Sequence, residues 1–334
     1  MVTIKDVAKA AGVSVATVSR VVNNGPKVSD KKREEIKKIM ADLGYRPNAN
    51  ARALVSQKST TIGVVIPDIS DPFFAVLANG IDKIAREHNM QILLSTGGHT
   101  AESERQAINL LLERRCDTIV MHSKKLPAEE LIALSKDIAG FVLIDRYIEE
   151  IAERCIWLDN LEGGRIAGRH LLMLNHQNCA CIMSNFAIDD PVHRHNGFKE
   201  VLEGSDVPLN PKLVKYAEPN PQGGKLAAQE LLASGRPFSA IFVYNDAMAI
   251  GVISTLEDNG FRVPQDVSVI GFDNGILAQF SRPKLTTLDY PVEEMAQHAA
   301  KLSMALATKD QMPPKQEQKY VPLLVKRESA RTHQ

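Results

Sequence analysis

Residues 1–22 hold two short apolar stripes at helical spacing, separated by a single glycine, and few folds satisfy that arrangement. Val7, Ala8 and Ala11 share one face of a helix that starts at Ile4, and Val18 and Val21 recur at the same period on a second helix. Gly12 stands where the chain must reverse, in a place that calls for left-handed backbone, and Val13 closes the corner from inside. Thr3 with Asp6 reads as a capping box for the first helix, and Ser14 is a good N-cap for the second. These are the requirements of a helix-turn-helix, which would lay its second helix in a DNA major groove. Val15, Ala16 and Thr17 would then face base edges from the exposed start of that helix. Thr3, Ser14, Ser19, Arg20 and Asn23 complete the expected DNA-facing set. The alternative is a plain helical hairpin with no DNA role.

Charge separates the two readings. Residues 1–60 carry 12 Lys and Arg against 5 Asp and Glu, a net +7, whereas the whole chain has 40 of each, so residues 61–334 carry a net −7. A basic head on an acidic body is the footprint of a phosphate-binding segment and implies salt-dependent binding. Intermixed Lys and Glu over residues 31–38 also fit a solvated helix face. That helix is expected from the N-cap Ser29 to Leu43, stopped by Gly44.

From Thr61 the pattern changes. Short β-rich runs at 61–68, 90–97, 117–123, 140–146, 178–185, 213–219, 239–246 and 266–273 alternate with helical stretches, the signature of βαβ units and of parallel sheets covered on both faces. The fold class is therefore α/β behind an all-α head. A final strand is expected around residues 320–326. Ligands of such sheets sit beyond the carboxyl ends of strands, and those ends are polar here: Asp68, Asp145, Asn185, Asn245 with Asp246, and Asp273.

Several classes are disfavoured. The first strand is followed by Asp68-Ile69-Ser70-Asp71-Pro72-Phe73-Phe74, with none of the glycines that let a backbone approach a pyrophosphate, and the pairs Gly97-Gly98, Gly163-Gly164 and Gly223-Gly224 do not form that fingerprint. No nucleophile elbow, Ser-His-Asp motif or HExxH is present, so the expectation is a protein that is not an enzyme and has no cofactor. Cys116, Cys155, Cys179 and Cys181 lack the spacing of a zinc site and are expected to be reduced core thiols. With no apolar run of eighteen residues and no signal-peptide core, a cytoplasmic protein with no membrane partner is expected.

The head, the segment YRPNANARAL at 45–54 and the α/β body together resemble the lactose-repressor/galactose-repressor family of bacterial transcription regulators. The resemblance implies a helix-turn-helix domain at 1–46, a hinge helix and linker at 47–60, and an effector-binding and dimerisation domain at 61–334. That last domain is of the two-lobed periplasmic-binding type, its N-lobe spanning about 61–160 and 291–320 and its C-lobe about 161–290 and 321–334. It further implies that the hinge orders on operator DNA, with Asn48, Asn50, Ala51 and Arg52 at the minor groove and Leu54 wedged into the central base step. Domain packing is the alternative role for Leu54. For the effector, motif matching implies Phe73, Asp145, Arg194, Asn245 and Asp273: carboxylates and an amide for paired hydroxyls, an arginine fork for two oxygens, and a ring for the apolar sugar face. The structural alternatives are caps for Asn245 and Asp273, a surface ion pair for Arg194 and core packing for Phe73. Many relatives carry a bulky aromatic where this chain has Ala217, next to Tyr216.

VSVATVSRVVNN, ERQAI, SNFAI and YNDAMA resemble the galactose-responsive branch of that family, which implies D-galactose or a galactoside as inducer. Another sugar, or a purine-type corepressor, remains the alternative effector, and a sugar-binding protein with no DNA role the more distant one. The implied partners are double-stranded palindromic operator DNA with a central CG step and a second copy of the chain. A dimer is expected, since only RESARTHQ follows the final strand, with no heptad-repeat tail. Arg20 suits guanine O6 and N7, and Val15 and Ala16 suit thymine methyls. Arg20→Ala is expected to lose roughly 1–3 kcal/mol of discrimination at one base pair per half-site. An unchanged preference profile in a binding-site selection would refute this.

Overall fold

The computed structural model describes residues 2–23, 25–45, 60–308 and 318–334, in two units, Met1–Thr60 and Thr61–Gln334. In the first unit α1 (Ile4–Ala10), α2 (Val15–Val22) and α3 (Asp30–Asp42) enclose one small core of Val7, Ala8, Ala11, Val18, Val21 and Ile36. The capping box forms: the Asp6 N–H donates to Thr3 Oγ1 at 3.4 Å, and the Thr3 N–H donates to Asp6 Oδ2 at 2.8 Å. Ser14 Oγ accepts from the Thr17 N–H at 3.1 Å, and Gly12 takes φ +61 at the reversal. Ser29 does occupy the N-cap of α3, but its side chain makes no cap hydrogen bond. Asn48, Asn50, Ala51, Arg52 and Leu54 lie outside the described residues.

The second unit holds two six-stranded sheets. The first contains β1 (Thr61–Ile66), β2 (Gln91–Thr96), β3 (Thr118–His122), β4 (Gly140–Ile144), β5 (Cys155–Leu158) and β11 (Gln318–Tyr320), in the order β11-β5-β4-β3-β1-β2. The second contains β6 (Cys179–Ser184), β7 (Val214–Ala217), β8 (Ala240–Val243), β9 (Ser268–Asp273), β10 (Thr286–Asp289) and β12 (Leu323–Val325), in the order β12-β10-β9-β8-β6-β7. Among the described residues every pairing is parallel except β10 with β12.

The central strands are buried on both faces, and their sequences are mostly apolar for that reason. Along β4, Val142 and Ile144 enter one core while Phe141 and Leu143 enter another, and along β8 Ala240 and Phe242 alternate with Ile241 and Val243 in the same way. The first core runs through both sheets. Around the first sheet lie α4 (Pro72–Glu87), α5 (Ala101–Glu113), α6 (Ala128–Asp137) and α12 (Val292–Thr308). Around the second lie α7 (Asn160–Met173), α8 (Asp189–Glu203), α9 (Pro221–Ala233), α10 (Asp246–Asp258) and the short α11 (Ile276–Phe280).

Two strands were not expected from sequence, β5 and β10, each only four residues long and too short to display a period. The single strand expected at 320–326 is instead two, β11 and β12, belonging to different sheets. Between them Pro322 has no N–H with which to continue a ladder, and the chain passes from one sheet to the other there. The chain also crosses between β5 and α7, and between β10 and α12.

The glycines that fail as a dinucleotide fingerprint have a packing role. A Cβ on Gly164 would lie 2.1 Å from the Arg194 carbonyl oxygen, and one on Gly197 1.9 Å from that of Leu161. α7 and α8 therefore cross in backbone contact, as do α9 and α10 at Gly224 and Gly251. Gly197→Ala has no flexible neighbour to displace and must push α7 from α8; the expected loss of stability is about 1–3 kcal/mol. Chemical denaturation would measure this, and an unchanged midpoint would contradict the crossing as described.

Candidate functional site

Between the carboxyl ends of the two sheets lies a cleft of about 420 Å³, and Phe73, Asp145, Arg194, Asn245 and Asp273 all line it. Asp145 follows β4 with φ +61 and Asp273 ends β9 with φ 107, so the two sheets each present a non-glycine residue in the left-handed region at a strand end. Such strain concentrates at ligand sites, where the surrounding core holds the backbone in place. Phe73 opens α4 behind the N-cap Asp71, which accepts its N–H at 2.9 Å, and its ring meets Tyr290 edge-on at 4.9 Å.

Arg194 is no surface ion pair. It is 3% exposed; its Nε donates to Asn160 Oδ1 at 2.8 Å and its Nη1 to the Tyr244 carbonyl at 2.6 Å. Its guanidinium lies 3.5 Å from the Phe272 ring centroid and 4.5 Å from that of Tyr244. Asn245 does act as a cap, accepting from the Met248 N–H at 2.9 Å and donating to the Pro219 carbonyl at 3.0 Å, while still lining the cleft.

Asp246 behaves differently from its neighbour. It turns away to accept from Thr287 Oγ1 at 2.6 Å and the Gly275 N–H at 2.8 Å, and burial pushes its carboxyl up to about 7. Asn185 is exposed and outside this cleft. Tyr216 is 56% exposed and likewise outside; Phe186, 5.0 Å from His99, is one ring that does line the cleft from the second sheet's loops.

Sequence reasoning missed Lys124, His122, Asp190, Tyr244 and Tyr290, all of which line the cleft. Lys124 Nζ stands 2.8 Å from Asp145 Oδ2 and 2.9 Å from Asp190 Oδ1, and His122 Nε2 approaches Asp145 to 3.4 Å. The strand-end rule, applied to β3, reaches His122 and Lys124. Asp190 lies four residues before Arg194 on the same face of α8, a second legible signal.

The electrostatics differ between the two acids. Burial raises the Asp145 carboxyl, but the Lys124 ammonium and His122 outweigh it and hold the group below the usual carboxylate range. Burial raises Asp273 well above that range, with the charge of Arg194 opposing. Burial, and then the charge of Asp145, raise the Tyr290 phenol. Among the described residues six buried side-chain polar atoms have no hydrogen-bond partner, and three of them, His122 Nδ1, Asp145 Oδ1 and the Tyr290 hydroxyl, are gathered here. Such exceptions call for a specific reason, and a site built for a hydroxyl-bearing ligand supplies one.

In the first unit Val15, Ala16, Arg20 and Asn23 are exposed on α2, and Thr17 and Ser19 are half-buried. The hydroxyls of Thr3, Ser14 and Thr17 are engaged at helix starts, Thr3 with Asp6 and Ser14 with Thr17. No described group of three or more His, Cys, Asp or Glu is placed to hold a metal ion, and no described helix is long and apolar enough to cross a membrane.

Residues 3–48 match the profile of the bacterial regulatory proteins of the lacI family, and residues 169–330 match the periplasmic binding protein-like domain. The chain is 44% identical over 332 residues to the HTH-type transcriptional regulator GalR of Salmonella typhimurium (strain LT2), covering 99% of this chain and 97% of that one. It is 43% identical over 304 residues to GalS of the same strain, with 91% and 89% covered. Among solved structures it resembles the lac repressor dimer bound to operator and the anti-inducer ONPF, with a TM-score of 0.88, 26% identity and 99% of each chain covered.

Arg194→Lys keeps the charge but removes the planar stack and one of two buried donations, leaving Asn160 or the Tyr244 carbonyl unpartnered. The expected destabilisation in chemical denaturation is about 2 kcal/mol. A wild-type midpoint would show that the fork carries no stability.

Proposed function

The chain belongs to the LacI family of bacterial regulatory proteins and is a helix-turn-helix transcription regulator, not an enzyme; from that premise we propose that its effector is D-galactose or a galactoside, acting as an inducer of a sugar-utilisation repressor. The observation that carries this reading is the cleft. Asp145, Arg194, Asn245 and Asp273 converge there from both sheets, with the rings of Phe73 and Phe186 beside them. Carboxylate, amide and guanidinium groups suit adjacent hydroxyls, and the rings suit the apolar face of a hexose. The relatives named GalR and GalS support galactose over other sugars.

On DNA, the structure related to this chain is a dimer bound to its operator. We extend that arrangement here: two copies present two α2 helices to the half-sites of a palindrome, with Val15, Ala16, Thr17 and Arg20 toward base edges and Thr3, Ser14, Ser19 and Asn23 toward the backbone. Residues 47–60 act as the hinge, with Asn48, Asn50, Ala51 and Arg52 at the minor groove and Leu54 as its wedge. Residues 61–334 sense the sugar.

Sugar and operator would then oppose each other. Galactose is expected to weaken operator affinity by roughly 10–100-fold, and saturating operator to weaken galactose affinity by the same factor. Calorimetric titration with and without operator measures both, alongside a thermal-shift panel of sugars and nucleobases. A purine that stabilises the protein and tightens operator binding would establish the corepressor alternative. Galactose affinity indifferent to operator would sink the coupling.

A further inference from the structure

Two consecutive lysines reach across the cleft from a single turn. Lys124 and Lys125 follow β3 in the first lobe; Lys124 Nζ lies 2.9 Å from Asp190 Oδ1, and Lys125 Nζ donates to the Ala187 carbonyl at 3.1 Å, both partners being in the second lobe. Elsewhere a lysine side chain has four rotatable bonds and little geometric specificity. Here the turn itself is fixed from both sides.

Glu104 of α5 is 2% exposed, and its carboxylate accepts four hydrogen bonds: from Ser123 Oγ at 2.5 Å, from the N–H groups of Lys124 and Lys125 at 3.1 Å each, and from the Leu126 N–H at 3.0 Å. On the other polarity, Arg146 Nη1 donates to the carbonyls of Leu126 at 2.8 Å and Ser123 at 3.4 Å. One buried carboxylate collects the donors of residues 123–126, and one guanidinium collects two of the acceptors. Together these bonds hold the turn in the arrangement that points both lysines at the second lobe.

We propose that residues 123–126 form a reversible latch between the lobes, in which Lys124 gripping Asp190, and Lys125 gripping the Ala187 carbonyl, hold the closed cleft, and Glu104 is the positioning residue that aims both lysines. The reversibility follows from the partners. Lys124 Nζ also lies 2.8 Å from Asp145 Oδ2 of its own lobe, a partner that parting of the lobes need not remove, and Asp190 stands in the favourable first turn of α8. Neither charge is abandoned in the open form, so the latch biases the lobe equilibrium without locking it. Because Lys124 and Asp190 also line the cleft, the latch rests on the reading of that cleft as the effector site, and it sets how much of the sugar-free protein is already closed.

The test reads lobe separation directly in the sugar-free full chain. Labels are placed on Glu113→Cys in the first lobe and Glu203→Cys in the second; both positions are exposed, and the four native cysteines are buried. Asp190→Asn and Lys124→Met are each expected to lower the closed-to-open ratio about tenfold, and the double variant no further, since the two act as a unit. Glu104→Gln is expected to act in the same direction in the parent and to have no effect on lobe separation in a background that carries both Asp190→Asn and Lys125→Ala, a dependence that a merely structural loss of stability would not show. Should Lys124→Met fail to fold, Asp190→Asn with and without Lys125→Ala decides the matter, with the combination more open than either. An unchanged separation in Asp190→Asn, or additive effects of the Lys124 and Asp190 changes, would overturn the latch. Failure of galactose to bind would strike the effector reading alone, because no sugar enters the separation measurement.

Discussion

Covering both faces of both sheets is the constraint from which the rest follows. Once Val142 and Ile144 serve one core and Phe141 and Leu143 another, a strand has no side chain left over for a ligand along its length. Polar chemistry is displaced to where the strands stop, and in a parallel sheet those stops lie at one edge. The single core that continues through both sheets brings the two edges together, so that β3, β4, β8 and β9 end around the same cleft. The helix crossings must be close for this to work: Asn160 on α7 can hold Arg194 on α8 only because Gly164 and Gly197 allow the two backbones to touch.

Within the cleft the charges are arranged by lobe. Asp145 and Lys124 neutralise each other on one side, while on the other Arg194 is stacked on Phe272 and Tyr244 and committed to Asn160 and a carbonyl. Asp273 is left as the carboxyl whose ionisation burial opposes most openly. Carboxyl groups in such contrasting surroundings suit different partners: the Lys124 charge favours the ionised, accepting form of Asp145, whereas burial opposes ionisation of Asp273. A neutral, hydroxyl-rich ligand offers donors and acceptors to both without adding a charge to this buried cluster.

Much of this was legible from sequence. The helix-turn-helix was, because caps, turn glycine and stripe spacing all agree at Thr3, Gly12, Ser14 and Val18. Eight strands were, because most are short apolar, β-branched-rich runs bounded by polar residues. The failures share one physical cause, that a residue's use depends on a neighbour remote in sequence. β5 and β10 are strands only because a sheet is present to receive them, and the break at Pro322 matters only because two sheets compete for the same few residues. Lys124 looks like a surface lysine until Asp190, sixty-six residues later, stands against it. Asn245 and Asp246 are adjacent and similar in sequence, yet one faces the cleft and the other is drawn inward by Thr287.

Two left-handed aspartates and three unpartnered polar atoms sit where the lobes meet, and that placement has a consequence for switching. Asp145 and Asp273 hold left-handed backbone, and Asp145 Oδ1, the Tyr290 hydroxyl and His122 Nδ1 lack partners, all around one cleft. Each unpartnered polar atom costs free energy that water or a ligand hydroxyl reaching it would recover. The Lys124–Asp190 contact acts in the opposite sense and favours closure. A two-lobed sensor balanced between these opposing terms needs only a modest differential from its ligand to change lobe populations, since a ligand shifts such an equilibrium by no more than its preference for one state over the other.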